Sequence, residues 1–291
     1  MKNLFKTIGV TLLLLFVYIA LQAVMSVIPM LVVAVNGVDG AVGAENMSET
    51  MLAGLDMTTP EAINALAWGL CLSTVAMLLF LHFTGFYKLK RSLFYSVPRR
   101  PLVLSVLLVF AAMFSLNILV QCLSLENVLE EQFNQLSHNV VGVITIAFLA
   151  PLLEEVLFRG AIQGYMMRYF KPWVAIICSA LIFGLIHMNP VQIVYATLLG
   201  VILGWIYYRT GSLLPVILGH VLNNSVATIT TLLSPDNNAD APLTMVEKTA
   251  MVVVFIFATV VAIKLVQMLN GALPKAKAGD ECAVAESDSA E

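Results

Sequence analysis

The chain has 291 residues, of which 60% are hydrophobic and only 11% are charged, with a formal net charge of −3. Soluble globular domains carry about 25% charged residues, so the composition excludes an ordinary soluble protein and indicates an integral membrane protein. The apolar runs are long rather than short and alternating, which favours membrane helices over a β-barrel. The small net charge gives no sign of a nucleic-acid partner.

Eight apolar segments predict an all-α, polytopic membrane bundle of about eight transmembrane helices. They lie at approximately 8–35, 62–86, 101–123, 140–168, 173–188, 191–208, 212–233 and 249–269. Most reach the roughly 20 residues that span a bilayer, and the fifth is short. The first could be mistaken for a signal peptide, but its apolar run continues to Val35, so we interpret it as an uncleaved helix.

Charge is distributed unevenly between the connecting segments. Basic residues cluster at the N-terminus, in the 87–100 loop and at alternate ends of later helices, whereas acidic residues fill the opposite loops. The positive-inside rule then predicts that both termini are cytoplasmic. The long acidic loop at 36–61 is either a cap on the outer face or a solvated linker, and residues 123–136 have the spacing of an interfacial helix.

We therefore predict two parts along the chain. Residues 1–270 form a helical membrane domain, with a motif-bearing core at 145–228. Residues 271–291 form a disordered, acidic cytoplasmic tail, because they contain few large apolar side chains.

Polar residues spaced i,i+4 interrupt three of the apolar segments. They are Glu155 and Arg159 beside Glu154, Phe183 and His187, and His220 and Asn224. A charge at membrane depth is costly, so its default interpretation is functional. The rise of an α-helix places Glu154, His187 and His220 near or a little beyond the midplane of the bilayer. Three helices that bring polar groups to one level predict a buried reaction centre.

The first of these groups divides into a paired and an unpaired acid. Glu155 and Arg159 lie one turn apart on one helical face, while Glu154 points about 100° away. The arginine can then neutralise Glu155 and leave Glu154 directed elsewhere. A purely structural ion pair is the alternative interpretation of Glu155 and Arg159.

Several neighbouring residues fit roles in packing rather than chemistry. Phe183 is interpreted as a packing residue and Asn223 as a hydrogen-bonding residue between helices. Gly160 with Gly164, and Gly200 with Gly204, form small-residue faces that let helices approach closely. Proline 151 frees backbone groups just before the two acids.

These residues resemble the motifs of the CAAX-protease and bacteriocin-processing family of intramembrane proteases, also called the Abi family. That family is defined by EExxxR, FxxxH and HxxxN/B on successive membrane helices. This chain carries Glu154-Glu155-x-x-x-Arg159, Phe183-x-x-x-His187 and His220-x-x-x-Asn224 in the same order. The resemblance covers roughly residues 145–228, and no motif departs from the pattern.

The resemblance implies an endopeptidase that hydrolyses peptide bonds inside the membrane. Glu154 would activate a water molecule that His187 helps to bind, and His220 and Asn224 would hold the oxyanion. Glu155 and Arg159 would give structural and electrostatic support. The chemistry is reasonable independently, because a carboxylate can act as a general base and imidazole and carboxamide groups can stabilise an oxyanion.

The metal requirement is a separate question. Glu154, His187 and His220 could bind zinc with a water molecule in the fourth position. However, HExxH is absent, and Asn224 is a poor zinc ligand but a good oxyanion donor. Members of the family have been labelled metalloproteases, whereas its structural picture implies a metal-free glutamate mechanism. We favour a reaction without a cofactor and keep zinc as the alternative.

Two other functions would use the same polar cavity. A membrane transporter binds ions with midplane acids and histidines, but it should show matched broken helices in two halves, which this sequence lacks. A non-catalytic peptide-binding or immunity protein is the second alternative. For the protease, the expected partners are a peptide or membrane-protein substrate and the lipid bilayer, and the expected location is the cytoplasmic (inner) membrane of a bacterium.

Overall fold

The computed structural model describes residues 2–38, 59–87, 97–233 and 244–273. Within these ranges the regular secondary structure is entirely helical, which confirms the predicted all-α class. The helices there are α1 Lys2–Val38, α2 Pro60–Thr84, α3 Arg99–Cys122, α4 Glu130–Ser137, α5 Val140–Met167, α6 Pro172–Leu185, α7 Pro190–Thr210, α8 Leu214–Leu233 and α9 Met245–Ala272.

Seven of the described helices are long and apolar enough to cross a membrane, namely α1, α2, α3, α5, α7, α8 and α9. Together with the shorter apolar helix α6, they account for the eight predicted segments. The chain is therefore an integral, multi-pass membrane protein. The fit is close: segment 140–168 becomes Val140–Met167 and segment 62–86 becomes Pro60–Thr84.

Helix α6 ends earlier than its apolar segment suggests. It stops at Leu185 after 14 residues, or about 21 Å, and the chain turns at residues 186–189 before α7 begins at Pro190. Met188 adopts a positive φ of 50° in this turn. His187 therefore lies in a turn at the end of α6 rather than on the helix itself.

The helices pack as a core flanked by peripheral helices. Helix α3 contacts α7, α8 and α9, and α5 contacts α2, α6, α7 and α8. Helix α1 packs chiefly against α2, and α9 packs chiefly against α3. The motif-bearing helices α5 to α8 thus lie next to one another, which is the arrangement that a shared site needs.

Two predicted glycine faces sit at close helix contacts. A Cβ atom at Gly204 would lie 2.7 Å from Gln163 Oε1, and one at Gly160 would lie 2.6 Å from the Tyr87 ring. At Gly200 it would lie 3.1 Å from the Cβ of Ala180, whereas Gly164 has ordinary contacts only. The absence of a side chain therefore permits the close packing of α7 on α5 and α6 at Gly200 and Gly204, and the close approach of Tyr87 to α5 at Gly160.

The predicted interfacial helix at 123–136 is only partly helical. Helix α4 starts at Glu130, and Ser124 before it has a positive φ of 48°. Most of loop 36–61, most of loop 87–100 and nearly all of the predicted tail lie outside the described residues. The cytoplasmic placement of both termini stays a prediction from loop charge.

Candidate active site

Helix α5 changes its hydrogen-bond register on both sides of Glu154. Residues Thr145–Leu149 and Glu155–Gln163 are π-helical, with an α-helical turn from Ala150 to Glu154 between them. Single turns of this kind recur at functional sites because they redirect side chains and loosen the backbone ladder. Proline 151 favours the change, since it has no N–H to continue the ladder.

Glu155 is the buried centre of the site. Its side chain is fully buried, and its Oε1 accepts hydrogen bonds from Arg159 Nη1 at 2.8 Å and from His220 Nδ1 at 2.7 Å. The predicted pairing with Arg159 across one turn is confirmed. The bond to His220 joins α5 to α8, 65 residues further along the chain.

Arg159 is held from three directions. Besides Glu155, its Nη2 donates to the carbonyl of Gly200 at 3.3 Å, and its guanidinium lies 4.4 Å from the centre of the Phe183 ring. One turn later, Gln163 Nε2 donates to the carbonyl of Gly204 at 2.9 Å. These two side chains form a polar ladder against the glycine face of α7.

Glu154 occupies a different environment from its neighbour. Its side chain is 12% exposed, and its Oε2 lies 3.6 Å from Nε2 of His220. The two acids therefore approach opposite nitrogens of one imidazole. The ring of His220, 4% exposed, lies between them.

Phe183 links the two histidines. The rings of His187 and His220 both meet it edge-on, with centroid distances of 5.1 Å and 5.8 Å. His187 also places Nδ1 2.8 Å from the carbonyl oxygen of Phe183. Phe183 packs, as predicted, and it also contacts three charged or titratable side chains of the site. These are His187 and His220 at the edge of its ring and Arg159 over its face.

The turn that carries His187 is anchored from outside the motifs. Asn189 is fully buried, donates to Asn127 Oδ1 at 2.8 Å and accepts from the backbone N–H of Val128 at 3.2 Å. The segment between α3 and α4 therefore holds the end of α6 in place. His187 itself is half-buried and reaches the carboxylates only through Phe183 in the described structure.

Asn224 lies one turn beyond His220 on α8 and also faces α5. Its Nδ2 donates to the carbonyl of Ile146 at 3.0 Å, and its Oδ1 accepts from Asn223 Nδ2 at 3.1 Å. Asn223 in turn accepts from the hydroxyl of Tyr195 at 2.5 Å. The predicted hydrogen-bonding role of Asn223 is thus seen, and it extends to α7.

Two tyrosines near the site were missed by the sequence analysis. Tyr18 on α1 interacts electrostatically with Glu154 and hydrogen bonds to Gln22, and Tyr195 on α7 bonds to Asn223. Tyr18 and Gln22 are spaced i,i+4 in an apolar run, which is the same signal that marked the three motifs. Tyr195 had no such partner on its own helix.

In the described part of the chain, no three His, Cys, Asp or Glu side chains are placed to hold one metal ion. His220 directs Nδ1 to Glu155 and Nε2 towards Glu154, so both of its nitrogens face carboxylates.

Comparison with known proteins finds a matching family model and a relative. The family model described as Type II CAAX prenyl endopeptidase Rce1-like matches residues 136–226. A relative, "Putative membrane peptidase YdiL" of Bacillus subtilis (strain 168), is 28% identical over 87 residues, which is 30% of this chain and 36% of the relative. The chain thus matches only about a third of that relative's length. No solved structure matches.

The family match spans all three motifs, including both acids, both histidines and Asn224. With these residues assembled on adjacent helices, the matches confirm that this part of the chain resembles the CAAX-protease and bacteriocin-processing family.

Proposed function

We propose that this chain is an intramembrane endopeptidase that hydrolyses peptide bonds with a water molecule activated by Glu154. The observation that carries the proposal is the position of His220 between two acids, with Glu155 Oε1 at 2.7 Å from Nδ1 and Glu154 Oε2 at 3.6 Å from Nε2. The family match and the membrane-peptidase relative support an intramembrane protease in general. The roles of single residues are our proposal.

Exposure distinguishes the two acids. Glu155 is fully buried and saturated at Oε1 by two donors, whereas Glu154 is 12% exposed and has no arginine partner among the described residues. A general base must reach both water and substrate. Glu154 is therefore the base, and Glu155 fixes the orientation of His220.

The bond to Glu155 also sets what His220 can donate. An ionised carboxylate only accepts hydrogen bonds, so Nδ1 carries a proton. Nε2 then accepts in the neutral ring and donates only in the imidazolium form. The oxyanion-donor role that we propose for His220 therefore requires the imidazolium form.

The proposed reaction uses one water and returns every proton. Glu154 takes a proton from water held with the help of His187, and the hydroxide adds to the carbonyl carbon of the scissile bond. His220 and Asn224 donate to the resulting oxyanion. As the C–N bond breaks, Glu154 passes its proton to the leaving amine. One oxyanion donor is typically worth about 2.7–4 kcal/mol.

We also propose that the reaction needs no metal. The support comes from the donor set, since no three His, Cys, Asp or Glu side chains among the described residues are placed to hold one metal ion, and Asn224 bonds to a backbone carbonyl. A zinc site of Glu154, His187 and His220 would require these side chains to move closer together. Activity should therefore survive extensive dialysis against a chelator.

We propose a peptide or membrane-protein substrate, cleaved at a membrane-embedded or membrane-proximal bond, and the cytoplasmic membrane of a bacterium as the site of action. The depth of the polar cluster within apolar helices supports such a substrate, and the bacterial relative supports such a location.

The test compares cleaved peptide termini in cells that express the wild-type chain or a variant. Glu154→Gln should remove the chain-dependent termini and lower the cleavage rate of an identified substrate by about 10²- to 10⁴-fold. His187→Ala should act in the same direction. Both variants should insert into the membrane and keep the wild-type unfolding temperature.

Glu61→Gln is the matched control, because Glu61 is an exposed acid in the first turn of α2. It should cleave at the wild-type rate. Cleavage that persists in both Glu154→Gln and His187→Ala would overturn the assignment and favour a binding or transport function for the same cavity.

A further inference from the structure

A line of hydrogen bonds crosses the bundle and ends at Asn224. Tyr195 on α7 donates its hydroxyl to Asn223 Oδ1 at 2.5 Å, and Asn223 Nδ2 donates to Asn224 Oδ1 at 3.1 Å. Asn224 Nδ2 then donates to the carbonyl of Ile146 on α5 at 3.0 Å. Asn117 on α3 completes the line with a side-chain hydrogen bond to Tyr195. Four helices thus meet through one polar connection.

The direction in which these hydrogen bonds donate is determined by the carbonyl of Ile146 on α5. The N–H of Ala150 donates to the carbonyl of Thr145, five residues earlier. In the same register the carbonyl of Ile146 would accept from residue 151, but that residue is proline and has no N–H. The carbonyl therefore needs another donor, and Asn224 Nδ2 supplies it. A carbonyl only accepts, so the nitrogen of Asn224 must face it.

Each residue of the line determines whether the next one must present a donor or an acceptor. With its nitrogen on Ile146, Asn224 turns its oxygen to Asn223, which must then present nitrogen. The oxygen of Asn223 consequently faces Tyr195, whose hydroxyl donates to it. The hydroxyl of Tyr195 stabilises this orientation from the other side, so its removal leaves Asn223 held only by its bond to Asn224. If the carboxamide of Asn223 were reversed, its oxygen would face the oxygen of Asn224 and the hydrogen bond between the two residues would be lost.

We infer that Tyr195 is a positioning residue that, through Asn223, holds the carboxamide of Asn224 with its nitrogen towards the site. This inference rests on the proposed oxyanion role of Asn224. The amide nitrogen carries two hydrogens, and Ile146 takes one of them, which leaves the second for an oxyanion. Reversal of Asn224 would replace this donor with an acceptor and repel the oxyanion.

The experiment measures peptide hydrolysis by the full chain in lipid nanodiscs with a substrate found by terminus mapping. Tyr195→Phe keeps the ring and removes the hydroxyl. It should lower kcat roughly 10-fold and leave KM within about twofold, because the donor matters chiefly in the transition state. Tyr208→Phe, on the same helix and partly exposed, is the matched control and should keep wild-type kcat.

A double-mutant cycle then separates positioning from general packing. Asn224→Ala alone should lower kcat about 10²- to 10³-fold. If Tyr195 acts through Asn224, adding Tyr195→Phe to that variant should cause no further loss. Independent, multiplicative losses would overturn the inference, and so would an unchanged kcat in Tyr195→Phe alone.

The outcomes also distinguish this inference from the proposed function. If Glu154→Gln still cleaves, the protease mechanism is wrong, whatever Tyr195 does. If Glu154→Gln is inactive and Tyr195→Phe is fully active, only the positioning role fails. Should Tyr195→Phe not fold, Asn223→Leu breaks the same line at its next member and carries the same expected loss of kcat and the same cycle with Asn224→Ala.

Discussion

Helices α5 and α9 have the same length, 28 residues, and both are apolar enough to cross a membrane. In α5, 44% of the membrane-spanning window is buried within the protein, whereas in α9 only 6% is. Glu155 and Arg159 of α5 are buried and paired, while Lys264 of α9 is exposed two turns before the end of its helix, where a long side chain can reach the interface. Polar placement, not apolar content, thus separates a core helix from a peripheral one.

The contacts of the two helices differ in kind as well. Helix α5 meets α7 through the ladder of Arg159 and Gln163 on the carbonyls of Gly200 and Gly204. Helix α9 meets α3 through apolar packing and one hydroxyl contact in the described structure, from Ser115 to Thr259 at 3.0 Å. In lipid, close packing and hydrogen bonds drive helix association. The comparison predicts that equal substitutions should have unequal effects on the two helices.

The largest effect is expected at the buried ion pair. Arg159→Met would leave Glu155 buried with only His220 as a partner, and breaking a buried pair from one side costs about 3–5 kcal/mol. Lys264→Met on α9 removes an exposed charge and should change stability by less than about 0.5 kcal/mol. Unfolding titrations with SDS measure both. Equal losses would show that the two helices do not differ as described.

A smaller effect is expected at the glycines. Gly204→Ala places a Cβ 2.7 Å from Gln163 Oε1, and such overpacking typically costs about 1–3 kcal/mol. Gly271→Ala on α9 has no atom within 4 Å of the new methyl and should be neutral or slightly stabilising. Thermal unfolding of the two variants provides the comparison. If Gly204→Ala were as stable as Gly271→Ala, the close contact at Gly204 would not limit how α5 and α7 pack.

Helix α1 provides a third test, because it is peripheral yet carries Tyr18, which interacts electrostatically with Glu154. Tyr18→Phe removes the hydroxyl, which bonds to Gln22 and interacts electrostatically with Glu154, and should lower kcat/KM by about 2- to 3-fold. Membrane insertion and unfolding temperature should stay close to wild type. Steady-state peptide hydrolysis measures the change, and wild-type kinetics would restrict α1 to packing.

The smallest effect is expected between α3 and α9. Thr259→Val removes the hydroxyl that meets Ser115, and single interhelical hydrogen bonds in membranes average about 0.6 kcal/mol. Peptidase activity should be unchanged, since α9 contributes no residue to the site as described. A large loss of activity in this variant would mean that α9 supports the catalytic helices.

Local patterns predicted part of this architecture. The apolar segments gave the helices, and the i,i+4 spacing gave the pair of Glu155 and Arg159, because both are set by a single helix. The bond from Glu155 to His220 connects residues 65 positions apart, so it depends on how α5 and α8 pack. The order of the motifs indicated that these residues would meet, but not which carboxylate would approach which nitrogen of His220.

Tyr18 and Tyr195, which the sequence analysis missed, illustrate the same limit of local patterns. Tyr195 bonds across helices and has no polar residue four positions away on α7, so the i,i+4 signal does not mark it. Tyr18 did have Gln22 one turn away, and that pair was overlooked because α1 matches no motif. Likewise, the early end of α6 follows from the turn before Pro190 and the buried Asn189, which apolar content alone does not report.

The shortness of α6 has a consequence for the surrounding lipid. Its 14 residues cover about 21 Å, roughly 9 Å less than the hydrocarbon core of a typical bilayer. A short helix can relieve such a hydrophobic mismatch by thinning of the adjacent bilayer, by snorkelling of its flanking side chains or by oligomerisation. Thinning beside α6 would bring water closer to the turn that holds His187, and so to the proposed catalytic residues.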